Sequence, residues 1–301
     1  MDDGLPRVFT RAEALGARLS DKVLRGPQVQ RVFRGVYVRR DVPLDTRVRA
    51  LAALRLAPKG SVAACWTAAE LLGGIVPHET RVHLNVPSGR LRVPGVTTRV
   101  RSGRRRLARI GGLPVTTAED TFVDLAGELG LVDLVVLGDS LVGRGRTTPD
   151  ALVAAADAMR GRHAAMARRA AGLVRAGVDS PMESRLRMLL VLAGLPEPVV
   201  NHIEHDEWGR WVRRYDLSYP ELRLAVEYDG RQHAESQRQW ERDVERREEL
   251  DAEGWRIVVV LAKGVYREPE RTLARVVAAL AAQGRTVRVT SDEWRLHFSG
   301  V

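Results

Sequence analysis

Carboxylates supply the chemistry this sequence offers most densely, in the stretch from Asp216 to Asp229. Trp211 to Tyr219 and Leu224 to Asp229 read as strands, with Pro220-Glu221 between them as the turn of a hairpin. Because side chains alternate along a strand, Leu224, Val226 and Tyr228 are expected on one face, with Glu227 and Asp229 on the other. A turn at Pro220-Glu221 sets Asp216 across from about Ala225 and diagonal to Glu227, roughly 7 to 8 Å away between backbone positions. Three acids held together repel and keep their protons more tightly unless a cation compensates. Mg2+ or Mn2+, which take oxygen ligands, would supply that compensation.

The competing reading is structural: Asp216, Glu227 and Asp229 form the wet face of a sheet and pair with Arg213, Arg214 or Arg223. The continuation Gly230-Arg231-Gln232-His233 favours chemistry, since glycine permits a sharp turn and an imidazole follows near the strand end. Glu183 has two readings as well. In Ser180-Pro181-Met182-Glu183 it completes a capping box, with proline at the first helical position, or it joins the carboxylates. His202 and His205 fall on opposite faces of a strand and lack helical metalloprotease spacing, so no zinc site is expected there.

The elements that must hold these groups follow from periodicity. A helix runs from Ser180 to Gly194 with Leu186, Leu189, Leu190 and Leu192 inward, and Val199 to Ile203 is a further strand. Upstream, Thr10 to Gly26 holds two short helices broken around Gly16 and Ser20, and Val29 to Arg39 alternates as a hairpin turning near Gly35. That order suits either a winged helix-turn-helix or a small α+β cap, and Arg31, Arg34, Arg39 and Arg40 on the wing favour DNA. Two helices are expected between Leu44 and Leu72, the second capped by Ser61 and ended by Gly73-Gly74. Val82 to Val86 and Val96 to Val100 are strands, Thr117 to Leu125 a helix, and Pro149 to Val178 a helical connector.

The expected class is therefore α/β, an α+β multidomain chain. Its formal charge of +10 rests on arginine, because Lys22, Lys59 and Lys263 are the only lysines. Guanidinium forks suit phosphate oxygens, so nucleic acid is the expected partner. Cys65 is the only cysteine, which excludes an intrachain disulfide framework and multi-cysteine zinc modules. The first residues lack a basic stretch followed by an apolar core, and the apolar run Ile257 to Ala262 is too short to span a bilayer. A cytoplasmic protein without membrane association is the expectation.

Two resemblances extend this reading. Arg31-Val32-Phe33-Arg34-Gly35-Val36-Tyr37, Thr67 to Gly73, and Gly112 to Thr117 with Asp124-Leu125-Ala126 resemble the antitoxin component of abortive-infection type IV toxin-antitoxin systems, over roughly Thr10 to Val142. That likeness implies a DNA-binding winged helix over residues 1–43 and a companion α/β domain over 44–148. A protein toxin as partner would require a neighbouring gene.

The second resemblance covers Ser180 to about Leu280. Tyr215-Asp216-Leu217, Leu224 to Gly230 with Gln232-His233, Asp243, Arg246, and Gly254-Trp255-Arg256-Ile257 are similar to a bacterial domain family related to very-short-patch-repair endonucleases, in the PD-(D/E)XK superfamily. It implies a nuclease domain over 179–285, after a connector over 149–178 and before a tail over 286–301, built on a mixed sheet flanked by helices. Ile257 to Leu261 would be its buried strand and Glu268 to Ala282 its closing helix. Asp216 and Glu227 become ligands of Mg2+ or Mn2+ at the scissile phosphate, with water as nucleophile and His233 as general acid or base. Asp229 stands where the superfamily carries lysine, which stabilises developing negative charge. His233, Arg246 or Lys263 would have to substitute; otherwise the domain is a degenerate nuclease within a DNA-binding regulator.

Overall fold

The computed structural model describes residues 6–100, 106–230 and 253–298. His233, Asp243 and Arg246 lie outside the described residues. The chain divides into two compact units, residues 1–129 with 144–172, and residues 130–143 with 173–301. No helix among the described residues is long and apolar enough to cross a membrane.

The first unit opens with β1 (Val8–Thr10), α1 (Arg11–Gly16), α2 (Asp21–Leu24), β2 (Val29–Phe33) and β3 (Val36–Arg39). Thr10 caps α1 reciprocally: its hydroxyl accepts the Glu13 N–H at 3.2 Å, and the Glu13 carboxylate accepts the Thr10 N–H at 2.7 Å. Gly35, at φ 82°, turns β2 into β3, and β1 joins them in a sheet ordered β1-β3-β2. Phe9, Ala14, Leu24 and Val29 form the core beneath, and α3 (Thr46–Leu56) packs on the three strands.

A five-stranded sheet follows, where one expectation fails. Ser61 does not cap a helix; its hydroxyl donates back to the Pro58 carbonyl at 2.6 Å, and Val62–Ala63 forms β4 at the sheet centre. A two-residue strand buried on both faces has no alternation for a sequence to display. The helix begins later, as α4 (Cys65–Leu72), and ends at Gly73 with φ 83°, as expected of a left-handed cap. β5 (Val82–Val86) and β6 (Val96–Val100) run parallel to each other. β7 (Leu107–Ile110) and β8 (Leu113–Thr116) make an unforeseen hairpin through Gly111-Gly112, completing the order β6-β5-β4-β8-β7. α5 (Ala118–Leu125) carries Thr117 as its cap. α6 (Leu131–Gly143) groups with the second unit, and α7 (Pro149–Ala158) and α8 (Ala164–Leu173) follow it.

The second unit sets α9 (Pro181–Leu192) against a mixed sheet of β9 (Val199–His205), β10 (Trp211–Tyr219), β11 (Leu224–Tyr228) and β12 (Arg256–Val260), ordered β12-β11-β10-β9. β9, β10 and β11 are antiparallel neighbours, and β11 and β12 are parallel. A short helix, Ala262–Tyr266, and a longer one, Pro269–Ala282, close the unit and pack on α9. α9 is fixed by fully buried leucines 186, 189 and 190 and by a polar core. Arg187, fully buried, donates to Asp139 and Glu197 at 3.0 Å each, while the Ser184 hydroxyl donates to Asp139 at 2.7 Å. Asp139 lies on α6, so this network pins α9, and Glu183 with it, to its neighbour.

Candidate active site

The β10–β11 register differs from the one expected. The turn uses a 3-10 segment, Pro220–Leu222, followed by Arg223 at φ 48°, which pairs Ser218 with Ala225 and Leu217 with Val226. Ala225 therefore does not face Asp216. The ladder pairs end at Leu217 and Val226, and beyond them the Asp216 carboxylate accepts the Tyr228 N–H at 3.0 Å. A side chain thus bonds a backbone donor of β11 that a ladder carbonyl would otherwise satisfy. On its other side Asp216 lies across from Asn201, which β9 holds in a left-handed conformation at φ 47°. Both neighbouring strands bend the regular pattern at the level of this one carboxylate.

Glu183 comes to the same place from α9. Ser180 caps the helix, accepting the Glu183 N–H at 3.2 Å, but the Glu183 carboxylate accepts the N–H of Asp179 at 3.0 Å rather than that of the cap residue. The reciprocal box is therefore displaced by one residue. Glu183 is only 7% exposed. Burial pushes its carboxyl up, hydrogen bonds from Ser180 and Asp179 pull it down, and the negative charges of Asp216 and Asp179 push it up again, for a net rise. Asp179 in turn pairs with Arg214 at 2.6 Å, both half exposed.

Glu227 and Asp229 sit half-buried at the end of β11, and the Asp229 N–H continues the ladder to the Val260 carbonyl at 2.9 Å. The arginines that a purely structural reading would pair with these acids have other partners. Arg213 bonds Glu253 at 2.8 Å, Arg214 holds Asp179, and Arg223 donates to the Glu253 carbonyl at 2.7 Å. Lys263 lies in the short helix and pairs with Glu268 at 2.5 Å. His202 stacks on Tyr215 with ring centroids 6.4 Å apart. In the first unit Arg31, Arg34, Arg39 and Arg40 are exposed; Arg39 pairs with Asp41 at 3.3 Å and Arg40 donates to the Pro27 carbonyl at 3.2 Å.

Among the described residues no group of three or more His, Cys, Asp or Glu side chains forms a metal-ligand cluster. By donor type and charge, however, the acids present fit a hard divalent ion. Glu183 and Asp216 offer only oxygen, and the raised proton affinity of Glu183 is what a cation would relieve. Asp179 and the Tyr228 N–H are not singled out by the sequence reading, and Arg214, expected to pair with Asp216, Glu227 or Asp229, pairs with Asp179 instead. The available signal was the position of Asp179 just before a helix cap.

The part of the second unit that carries β10, β11, β12 and most of the closing helix, residues 211–280, matches the restriction-endonuclease-like family REase_MTES_1575. The chain as a whole belongs to the family of a Mycobacterium tuberculosis protein, "Uncharacterized protein Rv2248" of strain H37Rv, to which it is 32% identical over 253 residues, 83% of this chain and 92% of that one. "Uncharacterized protein MT2308" of strain CDC 1551 is similar to the same extent.

Proposed function

We propose that the protein is a Mg2+- or Mn2+-dependent DNA endonuclease or nickase that hydrolyses phosphodiester bonds, with its site at the junction of α9, β10 and β11. One observation carries this reading: the Asp216 carboxylate, tied to the Tyr228 N–H at 3.0 Å, stands where the β10–β11 ladder ends, beside the half-buried Glu227 and Asp229. Asp216 and Glu227 would hold the ion, with Glu183 completing the oxygen set. The ion supplies positive charge at the scissile phosphate and makes water a stronger nucleophile. Tyr228 fixes the Asp216 carboxylate through its N–H, and Asp179 orients Glu183. Asp229, His233 and Arg246 complete the proposed catalytic group, with His233 as general acid or base.

Substrate binding is assigned to the first unit, read as a winged helix with β2–β3 as the wing. Arg31 and Arg34 are exposed and have no ion-pair partner among the described residues, so they are its principal phosphate contacts. The test is incubation with supercoiled plasmid and Mg2+. Nicked or linear product that EDTA abolishes is expected, and cleavage surviving Asp216→Ala and Glu227→Ala together would assign the activity elsewhere.

A second reading follows from Asp229, an acid where the superfamily resemblance calls for lysine. In it the nuclease domain is degenerate and the protein is a DNA-binding regulator, antitoxin-like in its first half. It requires salt-sensitive retention on DNA upstream of its own gene and no plasmid cleavage.

A further inference from the structure

Asn201 joins an unusual backbone to an unsatisfied side chain. It sits at φ 47° inside β9, between the ladder pairs His202–Tyr215 and Val200–Leu217, which sets it across from Asp216. Its Oδ1 is buried and has no hydrogen-bond partner. Asparagine tolerates the left-handed region better than most residues, so the backbone alone explains the residue type. The side chain is not explained that way. Its Nδ2 donates to the Gly177 carbonyl, which fixes the amide and leaves Oδ1 as the atom without a role. Gly177 lies two residues before Asp179, whose N–H holds Glu183. The amide therefore reaches toward the segment that delivers Glu183, on the side of the sheet where the acids gather.

What Oδ1 can take follows from its surroundings. Ionised carboxylates only accept hydrogen bonds, and so does a carbonyl oxygen, so Asp216, Glu183 and Asn201 Oδ1 cannot satisfy one another. Arg214, on β10 with Asp216, is held by Asp179. A second bare polar atom lies on the same face: Ser218, fully buried two residues along β10 from Asp216, has a hydroxyl with no partner. Buried acceptors beside carboxylates exclude an apolar or anionic guest and call for a cation. Hard divalent ions take neutral amide oxygens together with carboxylates.

We propose that Asn201 Oδ1 is a neutral oxygen ligand of the divalent ion held by Asp216, so that β9 contributes to the cation site alongside α9, β10 and β11. The proposal rests on the cation site of the nuclease reading. It concerns binding of the metal alone and requires neither DNA nor turnover.

The test is calorimetric titration of the full chain with Mn2+ in the absence of DNA. Asn201→Gly keeps the left-handed backbone without strain and deletes the amide; Asn201→Asp replaces the neutral oxygen by a charged one. Mn2+ affinity is expected to fall about tenfold or more in the glycine variant and to equal or exceed that of the wild type in the aspartate variant. The opposed effects separate a ligand from a residue that only ties β9 to Gly177, since both variants lose that bond. Unchanged affinity in Asn201→Gly, with binding lost in Asp216→Ala, would overturn the proposal and leave the nuclease reading standing. Lower affinity in Asn201→Asp would also overturn it, and it carries the test should the glycine variant not fold. Mn2+ binding that is absent in the wild type, or indifferent to Asp216→Ala, would instead remove the cation site itself and the nuclease reading with it.

Discussion

Glu183 is the residue at which stability and the proposed chemistry oppose each other. Its carboxyl is raised above the ordinary range by burial and by Asp216 and Asp179, so the folded protein binds its proton more tightly than the unfolded chain does. Folded-state stability therefore falls as pH rises from the unfolded value through the folded one, and the penalty persists above that window. Glu183→Gln removes the penalty at pH 7.5 while keeping an acceptor for the Asp179 N–H. Thermal denaturation should show a higher melting point, with the gain vanishing below about pH 4. Divalent-ion affinity and cleavage should fall in the same variant. Arg214→Ala should be nearly silent in stability, under about 1 kcal/mol in urea titration, since its pair with Asp179 is half exposed.

At the scale of elements, α9 depends on a buried charge. Arg187→Ala leaves Asp139 without its cation in the interior and should cost about 3–5 kcal/mol in chemical denaturation, with Arg187→Ala/Asp139→Ala costing less than the sum of the single changes. Much of the second unit was legible in the sequence. The Ser180 cap, the leucines of α9 and the strands β9, β10 and β11 follow from caps, period and punctuation. The register was not. It hangs on Arg223 at φ 48°, where arginine gives no hint of the left-handed conformation that glycine or asparagine would signal. Asn201 hides a similar bend opposite Asp216 inside a run that reads as a plain strand. In the first unit the buried two-residue β4 offers no alternation, so its residues read as the start of the following helix. The convergence of Glu183 on Asp216 was only half visible, because a capping glutamate already has a local explanation and its approach to β10 is tertiary.

For the whole molecule, a basic balance of +10 carried by arginine makes salt dependence the signature of DNA binding. Arg31→Ala/Arg34→Ala should lower the slope of log K against log salt by about 2 and weaken binding to all sequences alike, while plasmid cleavage at low salt keeps its metal requirement. An unchanged slope would remove the first unit from the DNA interface. The proposed reaction rests on a single cation site. Crystals of the full chain soaked in Mn2+ test it most directly by anomalous scattering. A peak about 2.0–2.2 Å from a carboxylate oxygen of Asp216, shared with Glu227 or Glu183, is expected. Soaked crystals with no peak there, Asp216 still bonded to the Tyr228 N–H and Glu183 to Asp179, would contradict the nuclease reading.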